Sequence, residues 1–255
     1  MEKAGSEMIK IFNSKNLEIE TKSNNTPVTI ADKISNDIII FELEKISNIP
    51  IISEESEKIN NPLFNTYWLI DPLDGTKCFI EKDNDFSIMI SLIIENKPHF
   101  SAVYVPMKKI FYYAQKNKGS FFIDSENKTF KMNCNKNTKL SDFKMVISKH
   151  HFTDEDKKYS ELLGIVNYIK MGSIGIKLAE IANTNSDIYL NFDGLNQWDL
   201  APGQLILEEA GGIVFDKSGN EFSYNSSNLR FKNGVIAISC KNRKSEIIKN
   251  INNGD

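Results

Sequence analysis

Apolar residues recur at helical spacing in two segments near the start of the chain. Residues 3–13 predict a short amphipathic helix, and residues 30–46 predict a longer one. The apolar face of the longer helix is expected to carry Ile30, Ile34, Ile38 and Phe41. Thr29 and Asp32 stand three positions apart at its start, which is the spacing of a capping box with Asp in place of the usual Glu.

The next part of the chain changes to alternating, β-rich patterns with turn residues between them. The predicted strands are 51–52, 67–70, 86–94, 100–105, 110–114 and 120–123. Short turns between consecutive strands predict an antiparallel meander that follows two helices.

From about residue 144, strands and helices alternate, which is typical of a layered α/β arrangement. The predicted strands are 144–148, 187–192, 212–216 and 234–239, and the predicted helices are 153–163, 175–182 and 200–210. We therefore expect an α+β part at residues 1–135 with the antiparallel sheet, and an α/β part at residues 136–255.

The composition is that of an ordinary globular protein, with 40% hydrophobic and 25% charged residues and a formal charge of -3. This charge does not indicate binding to nucleic acid or to a membrane surface. The three cysteines are widely spaced, which argues against a zinc site and for a reducing compartment. With neither a signal-peptide pattern nor an apolar run of about 20 residues, the expected location is the cytoplasm; attachment to the inner face of a membrane stays open.

The sequence WLIDPLDGTKCFI ends a hydrophobic run with two carboxylates, Asp71 and Asp74. Pro72 is expected to turn the chain out of the sheet, so that both carboxylates converge on one point. Two like charges are tolerated there if divalent cations lie between them. Mg²⁺ prefers carboxylates, water and a backbone carbonyl such as that of Leu73.

Further groups are placed to join this site. Gly75 and Thr76 begin a helical turn, and their N–H groups would offer an anion site beside the metal. Glu54 and Glu55 follow a short strand, and Asp199 precedes a helix that has a proline in its first turn. Carboxylates collected from separate segments are what a two-metal phosphoryl-transfer site needs.

Each acid alone also has a simpler interpretation. A DG pair is most often a turn, Asp199 alone is typical of an N-cap, and Glu54 alone of a solvated side chain. Asp32 alone fits the capping box. The functional interpretation therefore depends on the whole set in its order along the chain.

That set resembles the motifs of the inositol monophosphatase superfamily of metal-dependent, lithium-sensitive phosphatases. The matching motifs are PVTIAD (27–32), SEES (53–56), WLIDPLDGT (68–76) and WDLAPGQLILEEAGG (198–212). The resemblance covers nearly the whole chain. It implies the layered αβαβα sandwich that inositol monophosphatases share with fructose-1,6-bisphosphatase.

The resemblance implies a Mg²⁺ site of two or three ions. Glu54, Asp71 and the Leu73 carbonyl would hold the first ion. Asp71, Asp74 and Asp199 would hold the second. Strict octahedral geometry at such a site predicts activity with Mg²⁺ and inhibition by lithium and by Ca²⁺.

It also implies the catalytic and phosphate-binding groups. Asp32 and Thr76, together with Glu54, would position and deprotonate the attacking water. The N–H groups of Gly75 and Thr76 would bind the phosphate oxygens, and Asp199 would also contact the substrate.

Within the superfamily the chain is most similar to the CysQ-type 3'(2'),5'-bisphosphate nucleotidases, because it carries DGTKCFI, SKHH and GSIGIK. The implied substrate is adenosine 3',5'-bisphosphate or its sulfated parent, with Lys149, His150 and Lys177 in the substrate site. Inositol monophosphatases place an acid seven residues before the aspartate of the WD motif, which is Asp199 here. Here that position is Phe192, which suits a base better than a polyol.

Four departures from the nucleotidase pattern are expected at the substrate rim. Cys78 replaces a glutamate, Asn191 replaces an arginine, Gln197 stands where glutamate or lysine is common, and Lys149 stands for an arginine. None of the four is an implied metal ligand, so these departures bear on substrate choice.

Other functions stay open to different degrees. The runner-up is an inositol monophosphatase or sugar-phosphate phosphatase with the same metal site, and a remote alternative is an inactive nucleotide-binding relative. A haloacid-dehalogenase phosphatase would need D-x-D-G-T in place of D-x-x-D-G-T, and a dinucleotide-binding enzyme would need G-x-G-x-x-G. The expected partner is a small phosphate ester and not a nucleic-acid polymer; a homodimer is left open.

Overall fold

The computed structural model describes residues 1–14, 19–21, 27–56, 64–135, 139–225 and 227–254. The helices of the first half are α1 (Glu2–Phe12), α2 (Ile30–Glu44) and α3 (Thr76–Ile80). Its strands are β1 (Ile19–Thr21), β2 (Pro27–Thr29), β3 (Ile51–Ser53), β4 (Thr66–Asp74), β5 (Ser87–Ile94), β6 (Lys97–Val105), β7 (Ile110–Gln115), β8 (Gly119–Ile123) and β9 (Thr129–Lys131).

Strands β3 to β9 form one sheet in chain order. β3 pairs parallel with β4, and every later pair is antiparallel, which confirms the predicted meander. Strand side chains alternate between the two faces: Trp68 and Ile70 pack under the first two helices, and Tyr67 and Leu69 face the second half.

Helix α2 begins with the predicted capping box, in which Asp32 accepts from the Thr29 N–H at 2.7 Å. The predicted apolar face is confirmed only in part: Ile38 packs against the hydrophobic core, and Ile30 and Ile34 are half-buried. The buried residues of α2 are Ala31, Asp32, Ser35, Ile39 and Leu43. Phe41 is 60% exposed. Isoleucines on neighbouring faces fit helical spacing equally well, and the side that α2 presents to α1 and β4 decides which face is buried.

The second half contains the helices α4 (Asp154–Leu162), α5 (Ile174–Ala182), α6 (Gln197–Glu209) and α7 (Lys244–Asn252). Its strands are β10 (Lys144–Ser148), β11 (Asn167–Met171), β12 (Ile188–Asn191), β13 (Leu195–Asn196), β14 (Ile213–Phe215), β15 (Arg230–Phe231) and β16 (Val235–Ile238). Five of these strands form a mixed sheet in the order β11-β10-β12-β16-β14, and β13 pairs separately with β15.

Three hydrophobic clusters hold the layers together. One packs α1 and α2 on the first sheet, one packs α5 and α6 between the two sheets, and one packs α4 and α7 on the outer face of the second sheet. At the centre, a Cβ added to Gly203 of α6 would meet Leu178 Cδ1 of α5 at 2.4 Å, so glycine permits this close helix contact. The order is helix, sheet, helix, sheet, helix, which confirms the expected αβαβα sandwich.

Within the described ranges, none of the helices combines the length and apolar character that crossing a bilayer would require.

Candidate active site

A cavity of about 470 Å³ opens where the two sheets and α6 meet, and its walls come from both halves of the chain. Its acidic lining residues are Glu54, Asp71, Asp74, Asp193 and Asp199. Its basic lining residues are Lys77, His150, His151, Lys177 and Arg230. The four carboxylates that the sequence singles out as metal ligands are therefore brought to one cavity.

A bulge in β4 aims the first two aspartates. Asp71 pairs with Met89 of β5, the register then shifts, and Asp74 pairs with Ser87. The expectation that Pro72 turns the chain out of the sheet is therefore wrong. Proline cannot donate a ladder hydrogen bond, and the bulge accommodates that loss without ending the strand.

The bulge is fixed by hydrogen bonds from both sides. The Leu73 N–H donates to Asp71 Oδ1 at 3.0 Å, and the Ser35 hydroxyl of α2 donates to the Pro72 carbonyl at 2.7 Å. These bonds hold the carboxylate of Asp71 and the backbone of the bulge in a defined geometry.

Gly75 connects the bulge to α3 with a φ of +94°. A Cβ at this position would meet the Asp85 carbonyl oxygen at 2.7 Å. Both the left-handed backbone and the close contact require glycine. This turn places Thr76 as the first residue of α3.

The hydroxyl of Thr76 lies between two oxygen acceptors. Its Oγ1 is 3.2 Å from Asp32 Oδ1 and 3.1 Å from the Leu73 carbonyl oxygen. Asp32 is buried, and its other oxygen accepts from the Thr29 N–H. The capping box therefore orients Asp32 toward Thr76, so the structural and functional interpretations of Asp32 are compatible.

Asp74 is held by the start of α5. Its Oδ2 accepts from the Gly175 N–H at 2.9 Å and from the Ser173 hydroxyl. Ser173 also caps α5, since its Oγ accepts from the Ile176 N–H at 3.1 Å. An acid on the first sheet is thus oriented by a helix of the second half.

Asp199 is the third residue of α6, and its Oδ2 accepts from the Asn196 N–H at 2.8 Å. The expected position at a helix N-terminus is confirmed. The expectation that Pro202 lies in the first turn is wrong, because Asn196 caps the helix and α6 begins at Gln197.

Burial and mutual repulsion make the negative charge at these acids unfavourable. Burial, then the charge of Glu54, raises the pKa of Asp71 well above its usual range. The same two causes raise the pKa of Asp199 to about 8. Burial also raises the pKa of Asp74, although the bonds from Ser173 and Gly175 oppose this. Positive charge in the cavity would relieve the repulsion.

The donor chemistry fits Mg²⁺, which binds carboxylate and carbonyl oxygens. Four carboxylates and Leu73 line one cavity, and the raised pKa values of three of the carboxylates point to a need for cations. Among the described residues, no three His, Cys, Asp or Glu side chains form a ready-made ligand cluster. The fit therefore rests on donor type and charge.

Of the predicted substrate residues, Lys177 and His150 line the cavity and Lys149 does not. The Lys149 ammonium forms ion pairs with Asp83 and Asp85, the latter at 2.8 Å. Lys177 is 3% exposed, and burial lowers its pKa to about 8.

His150 borders the cavity beside Cys78, with 3.5 Å between Nε2 and Sγ. Burial, followed by the charge of Asp83, raises the pKa of the Cys78 thiol to about 11. This thiol is therefore neutral at physiological pH and packs at the rim, where a glutamate would carry charge.

Two expectations about the rim are wrong. Phe192 does not line the cavity; its ring packs on Tyr159 with 4.6 Å between centroids. Strand alternation explains this, because Asn191 faces the cavity and its neighbour faces α4. Gln197 is fully buried, and its amide donates to the carbonyls of Asn225 and Asn228 at 3.0 and 2.8 Å.

Sequence reasoning missed several lining residues, namely Lys77, His151, Asp193 and Arg230. Arg230 lies in a polar stretch with no recognisable motif, and only its pairing with Asn196 brings it to the cavity. Lys77 directly follows the motif WLIDPLDGT (68–76), and Asp193 lies shortly before the WD motif at 198–199. Closeness to these motifs is the sequence signal that could have identified both residues.

Comparison with known proteins identifies the family of the chain. The inositol monophosphatase family matches residues 1–253. The chain is 36% identical over 246 residues to a 3'(2'),5'-bisphosphate nucleotidase CysQ of Buchnera aphidicola, covering 93% of this chain and 89% of that protein.

Solved structures show the same fold. A CysQ of Bacteroides thetaiotaomicron, a bacterial member of the inositol monophosphatase family, has a TM-score of 0.79 and 28% identity, covering 93% of both chains. The extragenic suppressor protein suhB of Bartonella henselae has a TM-score of 0.84 and 24% identity, covering 100% of this chain and 96% of that one. The chain is therefore a phosphatase of the inositol monophosphatase family.

Proposed function

We propose that the chain is a Mg²⁺-dependent phosphomonoesterase that removes the 3'-phosphate of adenosine 3',5'-bisphosphate. The reaction consumes one water and gives AMP and inorganic phosphate. The convergence of Glu54, Asp71, Asp74 and Asp199 on one cavity carries this proposal. Similarity to proteins named 3'(2'),5'-bisphosphate nucleotidase supports the choice of substrate.

The ligand assignment follows the oxygen donors of the cavity. Glu54, Asp71 and the Leu73 carbonyl would hold one Mg²⁺. Asp71, Asp74 and Asp199 would hold a second, and a third ion is compatible with the proposal. When bound, such ions supply positive charge and lower the pKa of a coordinated water.

The chain's own residues would handle the proton of the attacking water. Thr76 Oγ1 can donate to Asp32 Oδ1, and the hydroxyl oxygen would then accept a hydrogen bond from the attacking water. Glu54 lines the same cavity and would accept the proton. Asp32, Thr76 and Glu54 would therefore act together to orient and deprotonate the water.

The scissile phosphate would be bound at the turn after the bulge. The N–H groups of Gly75 and Thr76 are the proposed donors to its oxygens. Lys177 and His150 line the same cavity and would also bind phosphate oxygens of the substrate. Lys149 would contribute only if substrate competes with its two aspartate partners.

The runner-up is hydrolysis of inositol monophosphate or a sugar phosphate, and one observation favours it. Asp193 lines the cavity, so a carboxylate that could hold a ring hydroxyl is present although Phe192 faces away. An inactive nucleotide-binding relative is a poorer candidate, because all four proposed metal-binding acids are retained.

Substitution of Asp74 tests the mechanism. Asp74→Asn should lower the rate of phosphate release by about 100-fold or more, because metal charge contributes several kcal/mol to the transition state. Asp37→Asn, at an exposed position of α2, is the matched control and should retain full activity. Unchanged phosphate release in Asp74→Asn, or a trapped aspartyl-phosphate, would refute the mechanism.

A further inference from the structure

Arg230 lines the same cavity as the proposed metal-binding acids. We propose that its guanidinium binds the phosphate that is not hydrolysed and so selects bisphosphate substrates over monophosphates. This inference rests on the proposed function. Only two of the chain's 31 Lys and Arg residues are arginines, at positions 230 and 243, so lysine is the ordinary cation of this surface.

Backbone pairing brings Arg230 beside the metal-binding acids. In the β13–β15 pair it stands opposite Asn196, whose N–H donates to Asp199 at 2.8 Å. Gly194, with a φ of +90°, allows this approach, because a Cβ there would meet the Phe231 carbonyl at 2.6 Å. Arg230 is therefore placed by the same segment that positions Asp199.

Gln197 anchors the chain that leads to Arg230. Its backbone N–H donates to the Leu229 carbonyl at 2.7 Å, and its side chain accepts from the Tyr67 hydroxyl at 3.1 Å. The Gln197 amide also holds the carbonyls of Asn225 and Asn228. The segment that leads to Arg230 is thus hydrogen-bonded to α6 and, through Gln197, connected to β4.

The charge of Arg230 is available for a ligand. Across the described residues, no acidic side chain forms an ion pair with it, whereas Lys149 pairs with two aspartates and Arg243 pairs with Glu246 at 2.9 Å. Arg230 Nη2 donates to the Asp193 carbonyl at 3.0 Å, a neutral acceptor that orients the guanidinium without cancelling its charge. A planar guanidinium binds phosphate through two parallel hydrogen bonds.

The other cations of the wall suit the hydrolysed phosphate better. Lys177 is buried close to the charges of Asp74 and Asp199. Lys77 follows Thr76 directly, at the turn proposed to bind the scissile group. Arg230 is an exposed lining residue on the β13–β15 pair, an element separate from that turn.

The test compares adenosine 3',5'-bisphosphate with adenosine 3'-monophosphate in wild type and in Arg230→Ala, Arg230→Lys, Lys77→Ala and Arg243→Ala. Arg230→Ala should lower kcat/KM on the bisphosphate by about 10- to 100-fold and leave the monophosphate unchanged, because one charge-assisted contact is lost. Arg230→Lys should recover part of that loss, and Arg243→Ala should behave as wild type. Inhibition by inorganic phosphate should be the same in wild type and Arg230→Ala.

Each other outcome has a defined meaning. The role of Arg230 would be overturned if Arg230→Ala lowered kcat/KM equally on both nucleotides or did not lower it at all. It would also be overturned if only Lys77→Ala lowered kcat/KM selectively on the bisphosphate. These outcomes would leave the nucleotidase function in place. If wild type prefers inositol 1-phosphate to both nucleotides, the proposed function fails, and the inference fails with it.

Discussion

The hydroxyl of Ser173 donates to the carboxylate of Asp74, although the two residues lie in different halves of the chain. Ser173 caps α5 and is fully buried, and its Oγ is also 2.9 Å from the Ser87 hydroxyl oxygen. A proposed metal ligand on the first sheet is therefore oriented through a contact with the start of α5. The packing of the layers and the geometry of the site depend on each other.

Removal of this hydroxyl should weaken metal binding. Ser173→Ala leaves Asp74 with only the Gly175 N–H as donor, so we expect the Kd for Mg²⁺ to rise by about 10-fold or more, as for other residues that orient metal ligands. Isothermal titration measures this without substrate. Ser173→Thr should retain the affinity, because its hydroxyl can make the same bond.

Ser101→Ala is the matched control, since it removes a buried hydroxyl whose partners are the Ser91 hydroxyl, at 2.9 Å, and the Ala201 carbonyl, at 3.4 Å. It should leave Mg²⁺ affinity unchanged. Equal affinities in Ser173→Ala and wild type would show that the contact does not orient Asp74.

Loss of one crowded acid should stabilise the metal-free protein. Asp199 bears an unfavourable charge because it is buried and close to Glu54, as its pKa of about 8 indicates. In EDTA at pH 8, Asp199→Asn should therefore raise Tm by several degrees, since about 1 kcal/mol corresponds to roughly 2–4 °C at this chain length. Added Mg²⁺ should stabilise wild type more than the variant.

Thermal unfolding followed by circular dichroism measures both effects. Asp37→Asn, at an exposed site, should leave Tm unchanged in either buffer. A lower Tm for Asp199→Asn in EDTA would mean that its bond to Asn196 outweighs the repulsion.

Lys177 should impose a limit on activity at alkaline pH. Burial lowers its pKa to about 8, while the charges of Asp74 and Asp199 oppose this shift. A lysine is charged below its pKa, so the cavity loses positive charge as pH rises through about 8. We expect kcat/KM, which reports on the free enzyme, to fall above that pH at saturating Mg²⁺.

In Lys177→Met, kcat/KM should already be low at pH 7 and should lack the Lys177-dependent fall. Lys232→Met, at an exposed position, should keep the wild-type profile. A Lys177→Met profile that falls in parallel with wild type would assign the alkaline limit to another group.

The metal site should discriminate by coordination geometry. One oxygen of Asp74 is committed to Ser173 and Gly175, and one oxygen of Asp199 is committed to Asn196, which limits how these ligands can move. We expect activity with Mg²⁺ and inhibition by Ca²⁺, which needs more ligands at longer distances. Lithium should also inhibit, as the family resemblance implies.

Phosphate release at fixed Mg²⁺ with increasing Ca²⁺ or Li⁺ measures this selectivity, with Na⁺ as the control for ionic strength. Full activity with Ca²⁺ alone would contradict a strict octahedral site. Lithium resistance would count against the close family resemblance.

Local signals predicted the parts of the structure that are local. The capping box of Thr29 with Asp32 needs only a three-residue spacing, and the structure contains it. Strands β5 to β8 and β10 were found from alternation and turn residues. Strand β11 and helix α7 were missed, because β11 is largely exposed and α7 is rich in polar residues.

The predictions that failed concern residues whose surroundings are set by contacts between distant parts of the chain. Phe41 fits an apolar face of α2 in the sequence, yet α2 buries a different side in the structure and Phe41 is exposed. Arg230 is brought to the cavity by the pairing of two short strands, β13 and β15. Lys149 instead forms ion pairs with Asp83 and Asp85, which lie 66 and 64 positions earlier in the chain. The acids were found because their spacing repeats a family pattern. Phe41 and Arg230 have no such pattern, and the motif that includes Lys149 does not reveal its aspartate partners.

The ratio of kcat/KM for adenosine 3',5'-bisphosphate to that for inositol 1-phosphate, measured by phosphate release at saturating Mg²⁺, tests the proposed function most directly. Inorganic phosphate release from the nucleotide should leave AMP as the other product. We predict a ratio well above one. A ratio of one or below would contradict the nucleotidase assignment and favour the inositol phosphate reaction at the same carboxylates.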